Sequence, residues 1–84
     1  MLYNTKAFGF VISRLRVQKG MTQESLSGLA GIARSHLAAL ESGEKIAKLD
    51  TVWRIAEALE IAPSELMRKM EQITREEQNG LSGR

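Results

Sequence analysis

Residues 22–41 read TQESLSGLAGIARSHLAALE, and this stretch constrains the fold more than any other. Two helical patterns, each roughly two turns long, meet at one glycine. The first spans Gln23–Ala30, with Leu26, Leu29 and Ala30 assigned to one face. The second spans Ala33–Leu40, with Leu37 and Leu40 on one face. Spacings of three and four make each segment an amphipathic helix with one stripe to bury. Neither persists alone in water, so each must lean on the other and on flanking helices. Thr22 suits the first N-cap, because its hydroxyl accepts an otherwise unpaired backbone N–H. Gln23 and Glu24 follow in the first turn, where an acid suits the helix dipole. Gly31 closes that helix at a place that often needs positive φ, and Ile32 plugs the angle between the two helices. The second helix starts without a strong cap, unless Gly31 or the backbone serves.

Two short helices joined by a tight Gly-containing turn form a helix-turn-helix. Gln23, Leu26, Ser27, Ala30, Gly31, Ile32, Leu37, Leu40 and Glu41 stand in register with one family pattern. The stretch resembles the DNA-binding unit of the Xre, or phage-repressor (Cro/CI-like), family, with Ser27 where Ala is usual. In size and layout the chain is also similar to small restriction–modification controller proteins. The resemblance covers about residues 7–67. It implies an all-α, compact five-helix domain whose second and third helices make the helix-turn-helix.

The same resemblance implies roles for single residues. Arg16 and Glu41 take the places of an ion pair linking the first helix to the end of the third. A guanidinium forks onto a carboxylate through two parallel hydrogen bonds, and this structural role is preferred over a phosphate contact for Arg16. Bases are read from the places held here by Arg34, Ser35 and Ala39. Arg34 can donate twice to a guanine edge, Ser35 specifies weakly, and Ala38 and Ala39 offer only methyl contact. Arg34 and DNA shape therefore carry more of the specificity. Thr22, Gln23 and the N-terminus of the second helix match a phosphate clamp. His36, Ser42 and Lys45 flank it, with Lys19 as a further candidate.

In chain order, residues 1–4 read as an arm, and Asn4 or Thr5 caps a first helix reaching about Lys19. Its core stripe is Phe8, Ile12 and Leu15. Phe10, Val11 and Val17 fall off that stripe, either as scattered surface apolar residues or, for Phe10 and Val11, as a partner-contacting patch. Gly20 ends the helix and Met21 packs the turn. Ser42–Lys48 is a loop, with Lys45 and Lys48 keeping positive charge there. A fourth helix opens at Leu49–Thr51, with Asp50 or Leu49 near its cap. Its inner face is Leu49, Val52, Ile55, Ala56 and Leu59. Trp53 lies beside the stripe, covering a core edge or, less favourably, stacking at a dimer contact. Pro63 suits the first position of a fifth helix, whose extension 68–78 lies beyond the family match. Little domain remains for that extension to pack against, so Met67, Met70 and Ile73 are read as dimer contacts. One domain spans 1–78, and 79–84 is read as a flexible tail.

Composition trims the alternatives. A net charge of +2 says little, but its distribution is uneven. Residues 1–48 carry +4 (Lys6, Arg14, Arg16, Lys19, Arg34, Lys45 and Lys48 against Glu24, Glu41 and Glu44), and residues 49–84 carry −2. A polyanion would meet the first half. The absence of cysteine excludes disulfides and thiolate metal sites, and with one histidine no metal site is expected. No long apolar run marks a membrane span, and the first ten residues lack a basic segment before an apolar core. A cytoplasmic location, no membrane contact and no cofactor follow as expectations. No nucleophile–base pair or phosphate-cradling glycine loop marks an enzyme. The expected function is a sequence-specific, homodimeric regulator of transcription on a pseudo-palindromic double-stranded DNA operator, with an RNA polymerase contact if it activates. The alternatives are a DNA-binding antitoxin that also contacts a toxin, and a protein-interaction module that has lost DNA binding.

Overall fold

The computed structural model describes residues 4–82, with side chains through residue 77. Five helices follow one another: α1 (Thr5–Gln18), α2 (Gln23–Ala30), α3 (Arg34–Ser42), α4 (Leu49–Ala58) and α5 (Pro63–Ser82). No strand occurs among the described residues. Local chemistry places the helix ends. The Asn4 side chain accepts from the Ala7 amide and caps α1, and Thr22 accepts from Ser25 to cap α2. Gly20, Gly31 and Gly43 follow α1, α2 and α3 with φ of 70°, 73° and 83°. The left-handed region is cheap for glycine alone. After α4 the same place is held by Glu60, at φ 57°.

The core is built by Phe8, Ile12, Leu26, Leu37, Leu40, Ile55, Leu59 and Leu66, each with essentially no exposed surface. α1 packs against both α3 and α5, and α2 packs against α3 and α4. Because α1 has two neighbours, its buried arc is wider than the Phe8–Ile12–Leu15 stripe. Ala7 and Val11 are buried as well. Val11 is therefore a core residue and not part of a partner patch. Phe10 stays half-exposed, with the Arg14 guanidinium over its ring at 5.4 Å, a cation–π contact.

Two apolar residues assigned to inner faces point to water. Leu29 is 67% exposed. The buried arc of α2 is Leu26, Ser27 and Ala30, and at about 100° per residue Leu29 falls well to one side of it. Leu49 is the first residue of α4, and helical Cα–Cβ bonds tilt towards the N-terminus. Its side chain projects past the start of the helix, and Thr51 is the first buried residue instead. The cap expected at Leu49 or Asp50 is Lys48, which gives no side-chain hydrogen bond.

The far end of the chain also differs from expectation. α5 runs through Ser82, so residues 79–82 continue the helix, and 83–84 lie outside the described residues. Residues 1–3 of the expected arm lie outside them too. α5 is not short of a surface to pack on, because α1 lies against it. Met70 is only 8% exposed within one copy and belongs to the hydrophobic core. Thr74 is buried beside it, its hydroxyl donating to the Met70 carbonyl. Met67 and Ile73 are half-buried against the same core. Asn4 ties the two helices at the surface by donating to Glu77.

Gly9 carries a constraint that the amphipathic pattern does not show. A Cβ there would collide with the backbone carbonyls of Leu40 and Glu41. A bare Cα lets α1 cross the end of α3 at backbone distance. That crossing sets where the end of α3 lies, and with it the site below.

Candidate nucleic-acid interface

Glu41, on the last turn of α3, gathers three elements. Arg16 of α1 donates from Nε to Glu41 Oε2 at 2.8 Å and from Nη2 to Oε1 at 3.1 Å. Its Nη1 donates to the Met21 carbonyl at 2.9 Å, holding the turn between α1 and α2. The two side chains are 16% and 7% exposed, so this fork is shielded and geometrically specific. Gln23, the first residue of α2, donates from Nε2 to Glu41 Oε1 at 2.9 Å. Glu41 thus accepts from α1 and α2 while belonging to α3. No buried side-chain nitrogen or oxygen lacks a partner among the described residues.

Gln23 is therefore not a free clamp. One N–H of its amide is engaged by Glu41, and the other is left for an outside acceptor. Thr22 Oγ1 accepts from the Ser25 amide, which leaves its hydroxyl hydrogen free to donate. Ser27, buried where an alanine is usual, satisfies its hydroxyl on the Glu24 carbonyl.

The N-termini of α2 and α3 converge on one open notch of about 520 Å³, lined by Arg16, Met21, Thr22, Gln23, Glu24 and Arg34. Ala33 caps α3 with no side-chain hydrogen bond, so the first N–H groups of α3 remain open, as they do at any uncapped helix start. Arg34, Ser35 and His36 form the exposed first turn of α3. Ala38 and Ala39 are half-buried. Between His36 and Ser42 the helix offers only the Ala38 and Ala39 methyl groups beside the shielded Glu41.

The remaining candidates differ in what they can offer an anion. Lys45 is exposed in the loop after α3. Ser42 Oγ donates to the Ala39 carbonyl at 3.1 Å, so in this arrangement its hydrogen faces its own helix. Lys19 lies on another side, 4.0 Å from Glu60. Among the described residues, no group of three or more His, Cys, Asp or Glu could hold a metal ion. Nor is any helix there long and apolar enough to cross a membrane. The Gln23–Glu41 bond escaped sequence reasoning. The sequence gives the two residues separate roles, and nothing in their spacing says that the roles share an atom.

Comparison with known proteins gives a consistent result. A helix-turn-helix family profile matches residues 12–66. The uncharacterised HTH-type transcriptional regulator y4dJ of Sinorhizobium fredii is 34% identical over 62 residues, which span 74% of this chain and 80% of that protein. Among solved structures, the restriction-modification controller protein C.AhdI of Aeromonas hydrophila is 35% identical, with a TM-score of 0.74 over 77% of this chain and 98% of that one. A point mutant of the controller protein C.Esp1396I gives a TM-score of 0.82 over 89% and 97% of the two chains, and at 21% identity it shows a shared fold. The matched profile covers the helix-turn-helix and the core from Ile12 to Leu66. The chain belongs to the Xre, or phage-repressor, helix-turn-helix family of DNA-binding transcription regulators.

Proposed function

We propose that this chain is a sequence-specific double-stranded DNA-binding regulator of transcription, working in the cytoplasm as a homodimer on a pseudo-palindromic operator. The observation that carries this reading is the notch where α2 and α3 begin. It brings Thr22, Gln23 and Arg34 to one opening beside two helix N-termini suited to anions. Arg34 reads a guanine edge from the major groove. Ser35 and Ala39 add weak contacts, and sequence-dependent DNA shape supplies further discrimination. Thr22 and the free N–H of Gln23 hold phosphate, with His36 and Lys45 at the flanks. A mutant of C.Esp1396I with this fold, 22% identical to this chain, was solved bound to its own operator. One copy offers a short reading surface. Two copies with α3 helices about 34 Å apart would read both halves of a symmetric site.

Gln23→Ala tests the clamp. Binding should weaken to a similar degree on all sequences, while the slope of log affinity against log salt stays the same, because a neutral amide displaces no counterion. Equal affinity of the variant and the parent for every duplex would sink the clamp. The antitoxin reading has one feature in its favour, an open groove of about 620 Å³ between α1 and α5 that includes Phe10, Leu15 and Ile73. Co-purification of a stoichiometric toxin on that groove, lost in Phe10→Glu, would move the assignment there.

A further inference from the structure

Lys6 stands exposed in the first turn of α1, outside the helix-turn-helix. Its stem lies along Gly43, the residue that ends α3. A Cβ on Gly43 would come within 2.9 Å of the Lys6 Cγ and 3.2 Å of its Cα. The same crossing sets Gly9 against the Leu40 and Glu41 carbonyls, so the start of α1 is fixed relative to the end of α3. Among the described residues, the ion pairs within 4.0 Å all use other cations. Glu44, next to Gly43, pairs with neither Lys6 nor Lys45. Helix geometry then relates Lys6 to the notch. Arg34 and Gly43 are nine residues apart. At about 100° per residue they fall on opposite sides of α3, and at 1.5 Å per residue they are about 13 Å apart along its axis. The notch with Thr22, Gln23 and Arg34 borders one side of α3 at its start. Lys6 borders the other side at its end, and Lys45 is exposed in the loop at that same end.

We propose that Lys6 is a phosphate contact on the strand opposite the one held at the notch. The major groove is about 12 Å wide, close to the axial distance between the two ends. A recognition helix lying in it offers its start to one bordering backbone and its end to the other. The inference rests on the DNA-binding reading above and adds to it a residue of α1. The two grips differ in chemistry. Thr22 and Gln23 are neutral groups held by the Ser25 amide and the Glu41 carboxylate, so they orient without displacing a counterion. Lys6 is a point charge on a flexible stem, and its contact with phosphate releases a counterion. A rival role for Lys6 is to balance the negative pole at the end of α3. The same ammonium also opposes the positive pole of α1, whose first turn carries no acid, so the two dipoles largely offset. The rival role would show in stability and leave DNA affinity alone.

The test measures the affinity of the full chain for a panel of duplexes by fluorescence anisotropy, over roughly 50–200 mM salt, beside thermal unfolding. Lys6→Gln should bind every duplex about threefold or more weakly per bound copy. Its slope of log affinity against log salt should be shallower by about 0.9 per bound copy, with Tm and the circular dichroism spectrum unchanged. Lys6→Arg should restore both affinity and slope. Lys69→Gln, which removes a charge from the groove between α1 and α5, should change neither. Ethylation of single phosphates should interfere with the parent on both strands. Lys6→Gln should lose that sensitivity on the strand opposite to the one where Gln23→Ala loses it. A Lys6→Gln slope equal to the parent's, an equal loss from Lys69→Gln, or loss on the same strand in both variants would each overturn the inference. A lowered Tm with unchanged affinity would overturn it in favour of the dipole role. A folded parent that binds no duplex would remove the regulator reading and the role of Lys6 with it. Sequence-selective binding that Gln23→Ala weakens and Lys6→Gln does not would overturn this inference alone.

Discussion

Replacing Arg16 with methionine removes the fork on Glu41 while keeping most of the side-chain volume. The carboxylate is 7% exposed and would keep only the Gln23 amide, and the Met21 carbonyl would lose its donor as well. Breaking a buried pair from one side costs about 3–5 kcal/mol, because the remaining charge is stranded. A chain of 84 residues has a total stability of roughly 4–13 kcal/mol. Arg16→Met should therefore remove a large fraction of it and lower Tm by on the order of 15 °C or more, at roughly 4–8 °C per kcal/mol. The double variant Arg16→Met/Glu41→Leu removes both charges and should lose less than the two single losses combined, with a coupling of about 2–3 kcal/mol. Urea unfolding followed by circular dichroism measures all four proteins on one scale. A single-variant loss below about 1 kcal/mol, the range of an exposed ion pair, or strict additivity in the double variant would refute the claim that Glu41 is the shielded junction of three helices.

Other substitutions probe separate links. Arg34→Ala should cost about 1–3 kcal/mol of discrimination at one base pair per half-site, read by competition between duplexes differing there. Unchanged preference would exclude a guanine contact. Gly9→Ala gains helix propensity of about 1 kcal/mol, yet its Cβ meets the Leu40 and Glu41 carbonyls. Overpacking of about 1–3 kcal/mol should win, giving a lower denaturation midpoint, and a raised midpoint would contradict the close crossing. Glu60→Gly relieves a left-handed residue at φ 57°, worth about 1–2 kcal/mol, against roughly 0.5–1 kcal/mol of added chain entropy. Tm should rise by a few degrees, and a fall would mean that the exposed Lys19–Glu60 contact matters more than such pairs do.

What the sequence made legible follows from how each signal is encoded. The helix-turn-helix was readable because caps, the Gly31 turn and apolar spacing are local, and the helices are found where those signals put them. Val11, Leu29 and Leu49 were misplaced because single-helix periodicity cannot say how many neighbours a helix has or where the core stops. Met70 was assigned to a second copy for the same reason, since the packing of α5 on α1 joins residues about sixty apart in the chain. Gly9 is a glycine inside a helical segment, which by itself only lowers helix propensity. The partner in its close approach comes from α3 and could not be named from spacing. The bond from Gln23 to Glu41 depends on two rotamers as well as on the fold.

The central claim is that two copies read a symmetric duplex through α3. Its most direct test is selection of bound duplexes from a random pool at near-physiological salt, followed by sequencing. The account predicts a two-fold symmetric consensus with a guanine in each half-site and half-site centres about one helical turn apart, and it predicts that Arg34→Ala loses that guanine. A folded protein that enriches no consensus, or only an asymmetric single site, would contradict it.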